Sequence, residues 1–231
     1  MSELPPILVV TGTDTDVGKT VVSAALAAAL VTSGPVAMYK PVQTGVGPDD
    51  PGDASRVADL GGAATYEGAR LGEPLAPTTA ARRAGVELPA VSEHARRVEE
   101  LADSHPLVIV EGAGGVLVGL DSTGATLVGL ARALRRPFAF VVVCRAGLGT
   151  LNHSALTVDA LRSAGQRVLG CVVGRWPTDP DVAAASNVSD LPVVTRVPLL
   201  GKVPDGAGGY EPARFRTEAA SWFAPPIGSA P

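Results

Sequence analysis

Apolar residues are distributed along this chain in short dense runs rather than in strict alternation with polar ones. The runs Leu4 to Thr11, Val36 to Tyr39, Leu107 to Val110, Phe138 to Val143 and Val168 to Val173 carry no charge, and most are rich in valine, isoleucine and leucine. Unbroken apolarity at strand length predicts strands covered on both faces, as in a parallel sheet. Pro192 to Val197 reads as a last short strand. Between these runs lie segments of helical character: Thr20 to Ser33, stopped by Gly34; Asp53 to Leu60, stopped by Gly61 and Gly62; Leu75 to Arg82; Val91 to Ala102; Thr123 to Leu134; Leu151 to Ser163; Asp181 to Val188; and Glu211 to Phe223. Strands alternating with helices through right-handed crossovers predict one α/β domain over residues 1 to 223, a mostly parallel sheet with helices on both faces. The Pro-, Gly- and Ser-rich stretch Ala224 to Pro231 is expected to be a frayed tail.

Composition narrows the partners. A chain of 231 residues with 46% hydrophobic content suffices for one such core, and its formal net charge of -4 comes without any Lys/Arg block. The pairs Arg82-Arg83, Arg96-Arg97 and Arg135-Arg136 read as solvated helix faces, so neither nucleic acid nor an anionic membrane is an expected partner. Apolar runs end well short of the roughly 20 residues of a membrane span, and no basic-then-apolar leader opens the chain, so a cytoplasmic protein is expected. Cys144 and Cys171 sit in strand-like runs and read as buried free thiols. His94 and His105 read as surface residues, and His153 belongs to no nucleophile or metal motif.

The stretch from Val9 to Thr20 changes the picture most. An apolar strand runs into a turn, then Gly18-Lys19-Thr20, then a helix. Backbone N–H groups of Asp16, Val17, Gly18, Lys19, Thr20 and Val21 would converge on an anion, Lys19 would add positive charge, and the Thr20 hydroxyl suits Mg²⁺. This predicts a P-loop NTPase-like fold and a triphosphate ligand, although Gly12 lies one residue further from Gly18 than in the usual pattern. Glu111 ends a buried strand and is followed by Gly112, Ala113 and Gly114, which places a carboxylate opposite the loop where a phosphate-bound metal needs oxygen. Asp53, before its helix, serves equally well as an N-cap or as a metal ligand. Gly147 to Thr150 form a second glycine-rich approach to a helix, either an anion site or a plain turn.

Four ordered segments, Thr11 to Thr20 (TGTDTDVGKT), Tyr39 to Gly45 (YKPVQTG), Glu111 to Gly115 (EGAGG) and Gly147 to His153 (GLGTLNH), together resemble the dethiobiotin synthetase family. The likeness extends over Leu75-Ala76-Pro77 and Pro198 to Gly201. It implies an ATP- and Mg²⁺-dependent homodimer that joins 7,8-diaminononanoate and CO₂ into a cyclic urea through a carbamate and a carbamic-phosphoric anhydride. By that resemblance Thr20, Asp53 and Glu111 supply the metal's protein oxygens, Lys40 and Lys19 are catalytic, and Thr15 and Thr44 hydrogen-bond the reacting end of the substrate. Gly147, Leu148, Gly149, Thr150 and Asn152 would receive its distant carboxylate, at the subunit interface. Gly174, Arg175, Pro204, Asp205 and Gly206 would border the base.

The chain departs from the family at Gly174, expected in the loop after the sixth strand, where relatives carry an asparagine that reads adenine. Its absence predicts relaxed base selectivity, with CTP or GTP competing. Two other readings share the phosphate loop. A cobyrinate-type amide ligase would need an attached glutamine-hydrolysing domain. A switch ATPase of the partitioning type would carry an extra lysine early in the loop, where this chain has Gly12, Thr13 and Asp14.

Overall fold

A computed structural model describes residues 4–31 and 34–223. Seven strands, β1 (Ile7–Gly12), β2 (Val36–Thr44), β3 (Ala64–Leu71), β4 (Leu107–Gly115), β5 (Phe138–Cys144), β6 (Val168–Trp176) and β7 (Leu199–Pro204), form one sheet in the order β3-β2-β4-β1-β5-β6-β7. Every pairing is parallel. The helices are α1 (Lys19–Leu30), α2 (Asp53–Gly61), α3 (Pro77–Ala84), α4 (Val91–Ser104), α5 (Leu127–Arg132), α6 (Thr150–Ser163), α7 (Val182–Thr195) and α8 (Pro212–Glu218).

The apolar runs are continuous because the sheet is buried on both sides. Ile7 and Val9 face one core with Val108, Val110, Phe140 and Val142, beneath α3, α4, α5, α6 and α7. Leu8 and Val10 face the other with Ile109, Val141, Val143 and Val172, beneath α1, α2 and α8. Alternate residues of one strand thus enter opposite cores, which requires apolar side chains at every position. Cys144 and Cys171 are buried free thiols among them.

The elements depart from the sequence expectations at several points. β3 lies over residues to which no element had been assigned; as an edge strand it is largely half-exposed and has no apolar run to announce it. Residues 192–195, expected to begin the last strand, are the final turn of α7, and the strand is Leu199–Pro204 instead. Pro192 is tolerated near a helix end that closes on Arg196 in the left-handed region, with the Arg196 N–H donating to Pro192 O at 2.9 Å. α5 is shorter than the expected Thr123 to Leu134. His94 is buried, its Nδ1 2.7 Å from the Tyr39 hydroxyl, whereas His105 is half-buried. The expected tail, Ala224 to Pro231, lies outside the described residues.

Beyond β7 the chain turns back: Phe223 bridges antiparallel to Gly201, so the outer edge of β7 is overlaid by the chain's own later residues. Glycine is required at 201, since a Cβ there would lie 2.5 Å from Trp222 O.

Candidate active site

β1 occupies the centre of the sheet, and its carboxyl end opens into a cleft of about 1010 Å³. Such an edge is where open α/β sheets gather ligands. Thr15, Asp16, Gly18, Lys19, Thr20 and Val21 come from the loop and α1; Lys40 and Thr44 from β2; Asp53 from the start of α2; Glu111, Ala113 and Gly114 from β4; and Gly174, Arg175, Pro204, Asp205 and Gly206 from β6, β7 and the turn beyond. Val17 instead joins the buried core, and Gly112 contributes its carbonyl, 3.3 Å from Lys40 Nζ.

Gly18 caps α1 with φ 97 and no side-chain hydrogen bond, leaving the first backbone N–H groups of the helix for a ligand. Its left-handed conformation is matched by close approach: a Cβ at Gly18 would lie 2.5 Å from Gly174 O, and one at Gly174 would lie 2.2 Å from Val17 O. Gly174 is therefore a residue of β6, not of the loop after it, and glycine stands there because β6 and the phosphate loop interlock. In this backbone a side chain at 174 would strike the loop before it reached a base. The charged groups beside that end of the cleft are Arg175 and Asp205, paired at 2.9 Å.

The polar centre is a closed network. Lys40 Nζ lies 2.6 Å from Asp53 Oδ2 and 2.8 Å from Glu111 Oε1. Thr20 Oγ1 lies 2.8 Å from Asp53 Oδ1 and 3.1 Å from Glu111 Oε1. Burial opposes the Lys40 ammonium, but Glu111 and Asp53 outweigh it and hold the group above the ordinary lysine value. Burial likewise opposes the Asp53 carboxylate, and Lys40 with Thr20 brings it below the ordinary value. Lys19 is drawn down, first by burial and then by the Lys40 charge, and its Nζ donates to Asp14 O at 2.9 Å. A cationic floor at an anion-binding helix start offsets charge on a transferring phosphoryl group.

Asp53 is not the cap of α2. Gly52 occupies that position without a side-chain bond, and the Asp53 carboxylate turns into the cleft toward Thr20 and Lys40. Together Thr20, Asp53 and Glu111 offer hard oxygens from three separate elements, which fits Mg²⁺. Among the described residues no cluster of three or more His, Cys, Asp or Glu is arranged for a metal, so an ion here would complete its shell with phosphate oxygens and water.

Two supporting residues were missed from sequence. Ser23 donates to Glu111 Oε2 at 2.6 Å and is fully buried; its position three residues after Thr20, on the same helix face, was the available signal. Buried Gln43 accepts from the Asp53 N–H at 2.9 Å and donates to Thr44 O at 3.0 Å, tying the start of α2 to the end of β2. It lies within the segment Tyr39 to Gly45, where no role had been given to it.

One predicted group stands apart. Gly147, Leu148, Gly149, Thr150 and Asn152 do not line this cleft. Leu148 is 89% exposed, Gly149 and Asn152 are exposed, and Thr150 is buried. Asn187 fixes the loop from α7, its Nδ2 donating to Ala146 O at 2.7 Å and Gly147 O at 3.2 Å.

Similar proteins agree with this architecture. The septum site-determining protein MinD of Pyrococcus horikoshii superposes with a TM-score of 0.59 at 18% identity, covering 96% of this chain and 93% of that one. A ParA family ATPase from Chlorobium tepidum gives 0.57 at 10% identity, covering 94% and 91%. These likenesses establish the P-loop fold alone. A family model described as an AAA domain matches residues 7–207. The ATP-dependent dethiobiotin synthetase BioD of Streptomyces coelicolor is 54% identical over 224 residues, 96% of this chain and 93% of that protein. Its counterpart in Rhodococcus jostii is 54% identical over 219 residues, 94% of each. With the phosphate loop, the carboxylate pair and the buried lysine in place, and with identity of this extent along the whole chain, the protein belongs to the ATP-dependent dethiobiotin synthetase family of ligases.

Proposed function

We propose that this chain carboxylates and cyclises 7,8-diaminononanoate to dethiobiotin at the expense of ATP. The observation that carries this reading is the convergence of Lys19, Lys40, Thr20, Asp53 and Glu111 on one cleft that Thr15 and Thr44 also line.

In the first step one substrate amine bonds to CO₂ and loses a proton, giving a carbamate. A carbamate oxygen then attacks the γ-phosphorus of ATP, the bond to the β-phosphate oxygen breaks, and ADP leaves. The second amine attacks the carbonyl of the mixed anhydride, phosphate departs with the C–O bond electrons, and the amine loses a proton to solvent as the ring closes. The amide groups of Asp16 to Val21 and Lys19 hold the phosphates and neutralise charge as the phosphoryl group transfers. Lys40 binds the carbamate and the transferring oxygens, and Thr15 and Thr44 orient the reacting amines. Thr20, Asp53 and Glu111 would hold Mg²⁺, which would supply neutralisation of phosphate charge.

The base lies against Gly174, Arg175, Pro204, Asp205 and Gly206. With no amide at 174 its recognition falls to backbone groups and the Arg175–Asp205 pair, and CTP or GTP competes with ATP. The loop from Gly147 to Asn152 binds the substrate's carboxylate in a cleft completed by a second copy of the chain. Its exposed Leu148, together with Leu156 on α6, is 89% and 61% accessible in the single chain.

Mass spectrometry of products formed from 7,8-diaminononanoate, bicarbonate and Mg²⁺, with ATP, CTP and GTP in separate reactions, tests the whole. Dethiobiotin with ATP is expected. Its absence with every nucleotide, from folded protein, would favour a partitioning-type switch ATPase. Exclusive use of ATP would remove the base-selectivity reading alone.

A further inference from the structure

Lys40 grips the same carboxylates that the proposed function assigns to a different cation. Its three ammonium protons are matched by three acceptors: Asp53 Oδ2 at 2.6 Å, Glu111 Oε1 at 2.8 Å and Gly112 O at 3.3 Å. Glu111 Oε1 is also the oxygen 3.1 Å from Thr20 Oγ1. An ion held by Thr20, Asp53 and Glu111 at the roughly 2.0–2.1 Å of Mg²⁺ coordination would therefore share its oxygens with the ammonium. Lys40 is 3% exposed and Glu111 1%, so water screens little of the repulsion between two cations placed there together. The ammonium has somewhere to go, because Lys40 lines the same cleft as Thr44 and the phosphate loop.

We propose that Lys40 is the resident counter-ion of the metal site, and that Mg²⁺ arriving with the nucleotide displaces its ammonium from Asp53 and Glu111 toward the phosphoryl group. This rests on the reading of Thr20, Asp53 and Glu111 as metal ligands. Charge balances at each stage: the paired carboxylates are held first by one ammonium and a hydroxyl, then by a divalent ion, while the released ammonium meets a polyanion. The exchange arms the lysine only when metal and nucleotide are both bound. It also keeps the buried Glu111 carboxylate and the half-buried Asp53 carboxylate from facing each other uncompensated before that, a costly arrangement.

The chain offers an unusually direct test, since it contains only three lysines, Lys19, Lys40 and Lys202. Lys202 lies 4.5 Å over the Trp176 ring, whose ring current sets its signal apart. In protein labelled with ¹³C,¹⁵N-lysine, the Lys40 side-chain resonance should stay in place when a non-hydrolysable ATP analogue is added with EDTA, and should move when Mg²⁺ follows. A spectrum of Lys19→Arg assigns the two remaining signals, since Lys19 and Lys40 both line the cleft. A Lys40 signal that stays unmoved while Mg²⁺ is shown to bind overturns the exchange.

Manganese binding followed by electron paramagnetic resonance gives a second arm. Without nucleotide, Lys40→Met should bind Mn²⁺ at least about tenfold more tightly than the unaltered chain, because a competing cation has been removed. Equal affinity, in protein whose circular dichroism is unchanged, overturns the proposal. Asp53→Asn separates the two possible failures. If it binds Mn²⁺ with the analogue as tightly as the unaltered chain, the metal-ligand reading falls and the exchange with it. If it binds more weakly while Lys40 does not move, the exchange alone falls.

Discussion

The phosphate loop and the loop between β5 and α6 start from the same local device. Each leads a parallel strand into a helix through a left-handed glycine without a side-chain cap, Gly18 at φ 97 and Gly149 at φ 87. Each leaves helix-start N–H groups unsatisfied and so favours an anion. Their surroundings differ entirely. Around Gly18 converge a half-buried hydroxyl, the buried lysines 19 and 40, and carboxylates from α2 and β4, and a Cβ would lie 2.5 Å from β6. Around Gly149 a Cβ would approach nothing nearer than His153 Cε1 at 3.9 Å, and Leu148 projects into solvent. A helix start becomes a catalytic centre through what other strands bring to it. The second loop lacks that company within one chain, which is why we assign its partner surface to a second copy.

The lysine substitutions break this comparison hardest. Lys19→Ala should lower nucleotide affinity and reduce turnover by about two to three orders of magnitude together. Lys40→Ala should reduce turnover by roughly a hundredfold while leaving the affinity for metal-free nucleotide nearly unchanged, as isothermal titration in EDTA beside steady-state kinetics would show. If Lys40→Ala retained normal turnover, its assignment would be wrong.

The glycine pair sharpens the contrast. Gly18→Ala meets both an unfavourable dihedral and the β6 backbone, so it should cost about 1–3 kcal/mol more than Gly149→Ala, which carries only the left-handed penalty of roughly 1–2 kcal/mol. Paired thermal denaturations measure the difference, and equal losses would show that the interlock is soft.

A smaller effect is expected at the exposed loop. Leu148→Glu should shift a dimer toward monomer in analytical ultracentrifugation and raise KM for the diamine by roughly tenfold, with ATP affinity preserved. ATP affinity falling in step would place this loop in the nucleotide site after all.

The smallest effect comes from His94. Burial holds it below its ordinary value of 6.5, so in the window beneath that value the unfolded chain takes up a proton that the folded chain does not. Its contribution is fully present above about pH 6.5 and declines as pH falls toward the folded value. Melting temperature should drop over that interval, and His94→Gln should flatten the drop. The Asp53 contribution is lost only at lower pH, because Lys40 and Thr20 carry that carboxylate below its ordinary 3.8 against the opposing effect of burial.

How legible all this was depended on what each residue does. Inner strands declare themselves because both faces need apolar side chains, and the phosphate loop because its spacing follows from the anion it cradles. β3 was silent, being a half-exposed edge with Glu67 and Arg70 among its residues. The end of α7 misled because Val193 and Val194, β-branched and beside a proline, resemble a strand; there they are 73% and 40% exposed on a helix. Gly174 was expected in the loop after the sixth strand and instead lies within β6 at the lip of the cleft, because its close contact with Val17 exists only in three dimensions. His94 and Gln43 become visible only once α4 meets β2 and β2 meets α2, whereas Ser23 was signalled by its helical spacing from Thr20 and gains its partner only where α1 meets β4.

The return of the chain across β7 carries a practical meaning for handling this protein. A parallel sheet ends in two rows of unsatisfied amides that can recruit foreign strands, and here Phe223 lies over one of them while charged β3 forms the other. Proteolytic trimming back to Glu218 would uncover β7 and the aromatic ring of Phe215, which meets Trp222 edge to face with ring centroids 5.0 Å apart. Such a clipped chain should keep its phosphate loop but precipitate on storage, so turbidity over days, rather than initial activity, would reveal the damage.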